Sequence, residues 1–222
     1  YIFSVIGASN KRAIELCAGS GETCMAANLI INHGWEALLF DGDKDNVNRG
    51  IEFFSKHKQT SLHPPILKRA WLTTENIDQL IKENGFQGEV DLLSLDIDGN
   101  DYHIMEAITV VKPKVIICET QNVVPSHLAL TIPYKPDFNR YDGPSNDFFG
   151  VSLLGMSKLL GKKGYRLIGA SRHGFNAIFI LKEIGEAYFP EVTVDSVHDN
   201  PYTKSRVQTS WGKVKDLPWV KV

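Results

Sequence analysis

The sequence is poor in cysteine. Only three of its 222 residues are cysteine, and no two of them form a C-x-x-C pair. Nothing therefore indicates a disulfide framework or a redox motif. Cys17 and Cys118 lie in apolar runs, which predicts packed thiols in a reducing compartment and hence a cytoplasmic protein.

Long apolar runs and an excess of charge of either sign are also missing. No run approaches the roughly 20 residues needed to span a bilayer, and no signal peptide opens the sequence. The formal net charge of −2 gives no general attraction to nucleic acid or to anionic membranes. We therefore expect neither as a partner. The first residue is Tyr1 rather than Met, so we expect a domain taken from a longer chain with neighbouring domains.

Short apolar runs alternate with segments of helical spacing in the first half of the chain. The runs lie at 13–18, 36–40, 90–95 and 114–118, and each is followed by polar or turn residues. Strands that alternate with helices predict βαβ units. The sequence is therefore expected to form an α/β fold with a doubly wound, mostly parallel sheet.

The second half of the chain has a different pattern. Residues 122–150 contain four prolines and little periodicity, and an irregular segment of this length is usually functional or disordered. A helix is predicted at about 151–162. Two strands, at 165–169 and 176–182, are separated only by ASRHGFN and must form an antiparallel hairpin.

The C-terminal part of the chain shows little helix or strand pattern after Phe189, although it carries several basic residues and two tryptophans. We interpret residues 185–222 as an extension packed on the rest. With 43% hydrophobic residues, the chain is expected to form one domain over 1–222.

A glycine-containing stretch, ELCAGSGETC, lies where the first predicted strand passes into a helix. Gly19 and Gly21 leave room for a ligand against the backbone N–H groups of the helix start. Asp41 follows Gly21 by 20 residues, about the spacing at which such folds place a carboxylate on a ribose hydroxyl. The pattern favours a nucleoside site over a tight turn without a ligand. A dinucleotide is disfavoured, because Cys24 stands where that fingerprint has a third small residue.

An acidic cluster follows the third apolar run, in DLLSLDIDGNDY. Asp96, Asp98 and Asp101 either form a turn and cap the next helix, or bind a metal ion or the substrate. The following strand ends in Glu119, and the ends of neighbouring parallel strands converge on the edge where ligands bind. This favours a functional role for Asp96 and Glu119.

The motifs ELCAGSG, FDGD and LSLDIDGNDY together resemble those of class I S-adenosylmethionine-dependent methyltransferases, close to the FkbM-like sugar and natural-product O-methyltransferases. The resemblance covers residues 12 to 182. It implies a Rossmann-like, seven-stranded sheet with a reversed terminal strand. One departure is Cys17, because these enzymes usually carry glycine at that position.

The resemblance implies a binding site for S-adenosyl-L-methionine. The glycine loop would contact its methionine part, Asp41 its ribose, and the residues that follow the third strand its adenine. For Trp71 the alternative is a buried core aromatic. The expected cofactor-binding residues are Glu15, Gly19, Ser20, Gly21, Asp41, Ala70 and Trp71.

LDIDGNDY is also similar to the VDADKDNY pattern of metal-dependent, catechol-type O-methyltransferases. This similarity implies Mg²⁺ or Mn²⁺, with Asp96, Glu119 and Gln121 as expected ligands. A bound cation would lower the cost of deprotonating a sugar hydroxyl. The expected general base is Asp96, His127 or His173, although a loop histidine is more often simply solvated.

The expected function is methyl transfer to a sugar hydroxyl of a glycan, for example of a deoxyhexose such as rhamnose. Residues 123–150 mix aromatic and polar side chains, which suits a lid over a sugar ring. The alternatives are a small-molecule or catechol-type O-methyltransferase, a nicotinamide-dependent oxidoreductase and a non-catalytic binding module.

Overall fold

The apolar runs of the first half of the chain form parallel strands, as predicted. The computed structural model describes all 222 residues. It contains β1 (Arg12–Leu16), β2 (Glu36–Asp41), β3 (Ile66–Arg69) and β4 (Gly88–Leu95). β1 pairs in parallel with β2 and β4, and β2 pairs in parallel with β3. β1, β2 and β4 are buried along most of their length, which explains why their runs are mainly apolar, whereas only Leu67 of β3 is buried.

These strands belong to the first of two units, Tyr1–Asp96 with Ala107–Ile116. Its helices are α1 (Ile2–Ile6), α2 (Ala27–His33), α3 (Lys44–Lys56) and α4 (Ile77–Glu83). Gly34 ends α2 in the left-handed conformation with φ 64°. Asp43 begins α3, because its side chain accepts the backbone N–H groups of Asp45 and Asn46.

The second unit comprises Ile97–Glu106 with Ile117–Val222. The remaining elements are α5 (Asp101–Ala107), β5 (Val111–Glu119), β6 (Leu130–Thr131), a 3-10 turn (Arg140–Asp142), α6 (Leu153–Lys162), β7 (Tyr165–Ala170), β8 (Asn176–Leu181), α7 (Val194–His198), α8 (Pro201–Val214) and β9 (Val220–Lys221). α5 and β5 also contribute residues to the first unit. None of the helices is both long enough and apolar enough to cross a lipid bilayer.

The sheet has seven strands in the order β3-β2-β1-β4-β5-β8-β7. β7 and β8 pair antiparallel, as the short connection between them requires. The predicted α/β, Rossmann-like fold with a mostly parallel sheet and a reversed strand is confirmed.

The prediction of little regular structure after Phe189 is wrong. α7, α8 and β9 all lie there, and β9 pairs antiparallel with β6. α8 begins at a clear signal, because Asn200 caps it and Pro201 occupies its first turn. The extension is packed: Val214 joins a buried cluster that Trp211 and Trp219 cover, and its buried members are Val123, Val124, Leu130, Ile132, Phe148 and Val214.

Candidate functional site

The glycine loop after β1 has an unusual backbone. Cys17, Gly19 and Gly21 all have positive φ, at 75°, 58° and 77°. A Cβ atom at Gly21 would lie 2.5 Å from Phe54 Cε2, whereas one at Gly19 would meet no atom within 4 Å. The fold therefore requires glycine at position 21, while the side of the loop at position 19 is open. A cysteine in the left-handed conformation is strained, which gives a physical reason for the glycine that resembling enzymes carry there.

The same loop is held against α3. A Cβ atom at Gly50, in the middle of that helix, would lie 2.6 Å from the carbonyl oxygen of Ser20. Only a helix without a side chain at this position allows the loop to approach so closely.

Asp41, at the end of β2, connects the loop to α3. Its Oδ2 accepts the backbone N–H of Gly19 at 2.8 Å, and its Oδ1 accepts the N–H of Asp43 at 2.9 Å and the side-chain amide of Asn46 at 3.2 Å. The thiol of Cys17 also lies 3.8 Å from Oδ2. The carboxylate is buried, so it fixes the conformation of the loop in addition to offering acceptor oxygens.

Glu15 lies on β1 and holds the segment that leads into α2. Its two carboxylate oxygens accept the N–H groups of Met25 and Ala26 at 2.7 and 2.8 Å. Burial raises the pKa of Glu15, and the two N–H groups offset this only in part, while nearby Asp96 adds to the rise. Burial and Glu15 likewise raise the pKa of the Cys24 thiol, which keeps it neutral.

The cysteines differ from the expectation in one respect. Cys118 is buried, as predicted for a packed thiol, but Cys17 is exposed. Cys17 follows the last buried residue of β1, where the chain already turns into the loop.

Trp71 is not a core aromatic, because 58% of its surface is exposed. Its ring lies beside Gly42, where a Cβ atom would come within 3.1 Å of Trp71 Cε3. The preceding residue, Ala70, donates its N–H to the carbonyl of Asp41 at 2.9 Å. The end of β3 therefore presents an aromatic face beside the FDGD turn.

In the second unit, Asp101 organises residues 97–101, which we call the acidic loop. Its side chain is fully buried and accepts the N–H groups of Ile97 and Gly99 at 3.0 and 2.9 Å. Of the two interpretations, capping and turn formation therefore apply to Asp101. Asp98, between those residues, has φ 54°, a conformation that aspartate tolerates better than most residues.

Asp98 and Glu119 are brought together. Glu119 is buried at the end of β5, and oxygens of the two carboxylates lie within 4.8 Å of each other. Asp98 also forms an ion pair with Arg140. Asp96 is half-buried and is the last residue of the first unit, where its N–H reaches the carbonyl of Leu16 at 3.3 Å.

Residues 132–149, which we call the clasp, bind along the acidic loop of the second unit. Phe138 lies so close to Gly99 that a Cβ atom there would be 2.5 Å from its ring. The Asn100 side chain donates to the carbonyl of Lys135 at 2.8 Å, and His103 Nε2 lies 2.9 Å from the carbonyl of Ile132. The Arg140 guanidinium lies 3.9 Å from the centre of the Phe149 ring, beside its ion pair.

Gln121 and the two candidate histidines occupy different surroundings. The Gln121 side chain is buried, donates to the carbonyl of Asp147 at 3.1 Å and accepts the N–H of Val123 at 3.2 Å. His173 is exposed in the β7–β8 turn with its ring 4.7 Å from that of Tyr202. His127 is also exposed.

Two residues were missed by the sequence interpretation: Asn46, on the first turn of α3, donates to the Asp41 carboxylate, and Arg140 pairs with Asp98. Asn46 follows Asp41 by only five residues, so this pair is a detectable local signal. Arg140 lies 42 residues from its partner in an irregular segment, and no local pattern indicates the pair.

Comparisons with known proteins place the fold. A sequence profile described as the methyltransferase FkbM domain matches residues 55–167, just over half of the chain. No curated protein sequence matches this chain. The N-terminal domain of EvdMO1 with SAH bound is similar in structure, with a TM-score of 0.50 and 16% identity over 81% of this chain and 76% of that one.

Two further structures agree. The EvdMO1 domain in the presence of SAH and D-fucose has a TM-score of 0.51 and 15% identity, over 81% of this chain and 78% of that one. The methyltransferase domain of bacterial CtHen1 has a TM-score of 0.50 and 13% identity, over 81% and 93%. Identities this low show a shared fold.

Proposed function

Because the chain belongs to the methyltransferase FkbM domain family, we propose that it transfers a methyl group from S-adenosyl-L-methionine to a sugar hydroxyl of a glycan. Membership makes it a class I methyltransferase that depends on this cofactor. The sugar acceptor and the oxygen as the methylated atom are our proposal. The observation that carries it is the clasp, in which the exposed ring of Tyr141 lies beside the Arg140 guanidinium and Arg140 pairs with Asp98 of the acidic loop.

The first unit fits the cofactor. The open side of Gly19 leaves its backbone accessible, the exposed face of Trp71 suits an adenine ring, and we assign Asp41, at the end of β2, to the ribose. Bound S-adenosyl-L-methionine supplies an electrophilic methyl group on a sulfonium. Glu15 and Asn46 also hold the loop in place, because Glu15 accepts two backbone N–H groups and Asn46 donates to Asp41, and we keep Glu15 as a proposed cofactor-binding residue.

The second unit fits a sugar. The exposed Tyr141 ring of the clasp suits the apolar C–H faces of a sugar ring, while the carboxylates and Arg140 suit its hydroxyls. Structural similarity to a domain studied in the presence of D-fucose supports a sugar acceptor.

We propose that Asp96 and Glu119 are ligands of Mg²⁺ or Mn²⁺, with Gln121 as a third. Carboxylates as close as those of Asp98 and Glu119 repel each other unless positive charge compensates them, and Arg140 supplies only one such charge for the two. The Gln121 carbonyl has a second lone pair besides the one used by Val123. A cation would favour the deprotonated acceptor hydroxyl.

The proton of the acceptor hydroxyl needs a base, for which Asp96, His127 and His173 remain our candidates. Two contacts hold His173 in place: its carbonyl accepts the Asn122 side-chain amide at 2.8 Å, and its ring packs on Tyr202.

Mass spectrometry tests this proposal. The protein is incubated with a glycan library and with cofactor carrying a deuterated methyl group, and the products are analysed for the added mass. We expect label on a sugar oxygen. Label on a catechol only, or turnover that requires a nicotinamide cofactor, would instead support one of the alternatives.

A further inference from the structure

A cavity of about 520 Å³ lies in the second unit, and none of the residues assigned above to the cofactor or to the cation lines it. α7, α8 and the turn at Pro125 and Ser126 line it. Its volume lies within the usual range for small-ligand sites, about 300–1,000 Å³. The cavity is therefore large enough to hold a monosaccharide-sized group.

The lining combines neutral hydrogen-bonding groups with a small apolar surface. Ser126, Ser196 and Gln208 supply hydroxyl and amide groups, and Pro125 and Val207 supply apolar contact. A sugar ring needs this combination, because its hydroxyls form a polar rim around apolar C–H faces.

The charges of the lining argue against an anionic ligand. Lys204 forms an ion pair with Asp199, so its charge is already compensated. Asp195 adds a further negative charge to the lining. A phosphate or sulfate group would therefore meet a net negative site, whereas a carboxylate accepts hydrogen bonds from sugar hydroxyls.

His198 provides a second, independent indication of a ligand. Its Nε2 atom is buried and has no hydrogen-bond partner, although the residue lines the cavity. Burial lowers the pKa of His198, with Asp195 opposing the effect only in part, so the ring is neutral near pH 7. A neutral ring nitrogen pairs with a hydroxyl as donor or as acceptor, and a buried polar atom normally has such a partner.

We propose that this cavity binds a neutral sugar residue of the acceptor glycan, other than the residue that is methylated. The inference rests on the proposed function, which makes the acceptor a glycan. Pro125 follows Glu119 by six residues, so the two lie at most about 20 Å apart along the chain. One oligosaccharide can therefore reach both.

The packing of α8 also connects the cavity with the candidate acceptor groups. A Cβ atom at Gly174, in the β7–β8 turn, would lie 2.7 Å from Thr203 Oγ1 on α8. The same turn carries His173, whose carbonyl binds the Asn122 side chain. A glycan held by α8 is thus held by the helix that positions this turn.

Ligand titration followed by NMR tests the site without turnover. Protein with isotope-labelled histidine is titrated with methyl α-L-rhamnoside, methyl α-D-fucoside and methyl α-D-glucoside at millimolar concentrations. We expect at least one glycoside to shift the His198 ring signal saturably and to leave that of His63 unchanged. Ser126→Trp, which fills the cavity, should abolish the shift, whereas Thr209→Ala, an exposed neighbour on α8 outside the lining, should retain it.

Several results would overturn the site. These are the absence of a saturable shift with every glycoside, a shift with inorganic phosphate in place of the glycosides, and an unchanged shift in Ser126→Trp. Thermal unfolding and cofactor binding are measured for each variant. If Ser126→Trp fails to fold, Gln208→Ala takes its place with the same expectation.

Kinetics then separate this inference from the proposed function. For an oligosaccharide acceptor, Ser126→Trp should raise KM roughly three- to tenfold and leave kcat unchanged. A change of this size corresponds to the loss of one or two hydrogen bonds to the acceptor. KM for a monosaccharide acceptor should not change, and an equal rise for both acceptors contradicts the subsite. If no sugar is methylated although glycosides shift His198, the proposed function fails and the sugar site stands.

Discussion

The ring of Phe138 occupies the space that a side chain at Gly99 would need, since a Cβ atom there would lie 2.5 Å from Phe138 Cδ1. Gly99 belongs to the acidic loop and Phe138 to the clasp. The absence of one side chain therefore decides where the other segment lies. In this way the acidic loop and the clasp are built as complementary surfaces.

We expect Gly99→Ala to displace the clasp and to lower the free energy of unfolding by about 1–3 kcal/mol, because the new methyl group overlaps the ring. Methyl transfer should fall while cofactor affinity is kept. Denaturant unfolding, turnover and calorimetry measure the three quantities. Gly161→Ala, where a Cβ atom meets nothing within 4 Å, is the control. Adding Phe138→Ala should remove most of the penalty, and strict additivity would show that the two positions are not coupled.

Cys17→Gly should stabilise the protein by about 1 kcal/mol, because glycine adopts a φ of 75° without the strain of a side chain. Cys17→Ala is the matched control, since it removes the thiol but keeps the strained backbone. Thermal unfolding should rank the glycine variant above both the parent and the alanine variant. A glycine variant less stable than the alanine variant would mean that the position carries no strain.

Asp41→Asn should weaken S-adenosyl-L-methionine binding by about 1.5–3 kcal/mol, roughly ten- to a hundredfold in Kd. The amide cannot accept all the donors that Asp41 now binds, so both the loop and the proposed ribose contact suffer. Isothermal titration calorimetry measures the affinity, with Asp45→Asn, an exposed acid of α3, as the control. Unchanged affinity in a folded Asp41 variant would remove the ribose assignment.

If Asp96 and Glu119 hold a cation, a chelator should suppress methyl transfer, and Mg²⁺ or Mn²⁺ should restore it. Cofactor affinity should change much less, because the cofactor contacts are assigned to other residues. Turnover and calorimetry are measured on the same chelated sample. Full activity in excess chelator would leave Asp96 as a direct base and exclude the metal.

His198 should make the protein less stable in acid. Its pKa in the folded protein is lowered from 6.5, so below pH 6.5 the unfolded chain binds a proton that the folded chain does not. The free energy of unfolding should therefore fall as the pH drops through 6.5, by at most about 1.4 kcal/mol per pH unit. Urea titrations of the parent and of His198→Gln on both sides of pH 6.5 measure how steeply the free energy of unfolding of each depends on pH. Equal slopes would contradict the lowered pKa.

The sequence predicts β1, β2 and β4 well because these strands are buried along most of their length, so their runs are mainly apolar. α8 was missed for the opposite reason. Two of its three buried residues, Thr203 and Ser210, are polar, so the helix has no apolar periodicity. Its start signal, Asn200 followed by Pro201, was the only indication available.

Side-chain roles are harder to predict than strands. Nothing in the sequence distinguishes the role of Asp98 from that of Asp101. In the structure, Asp101 is buried and accepts backbone N–H groups, whereas Asp98 pairs with Arg140. Only tertiary structure separates a capping acid from one that is directed at a ligand. The exposure of Trp71 likewise depends on its packing against Gly42, on another strand connection.

The contact between Gly50 and Ser20 has a consequence for mutational tolerance. Asn46 and Gly50 lie four residues apart on α3, hence on the same side of the helix, and both hold the glycine loop. Random mutagenesis scored by cofactor binding should therefore divide α3 lengthwise, with a sensitive stripe through these positions and a permissive stripe through exposed Asn48 and Glu52. Variation in the affinity for the cofactor can thus arise in a helix for which no ligand contact has been proposed.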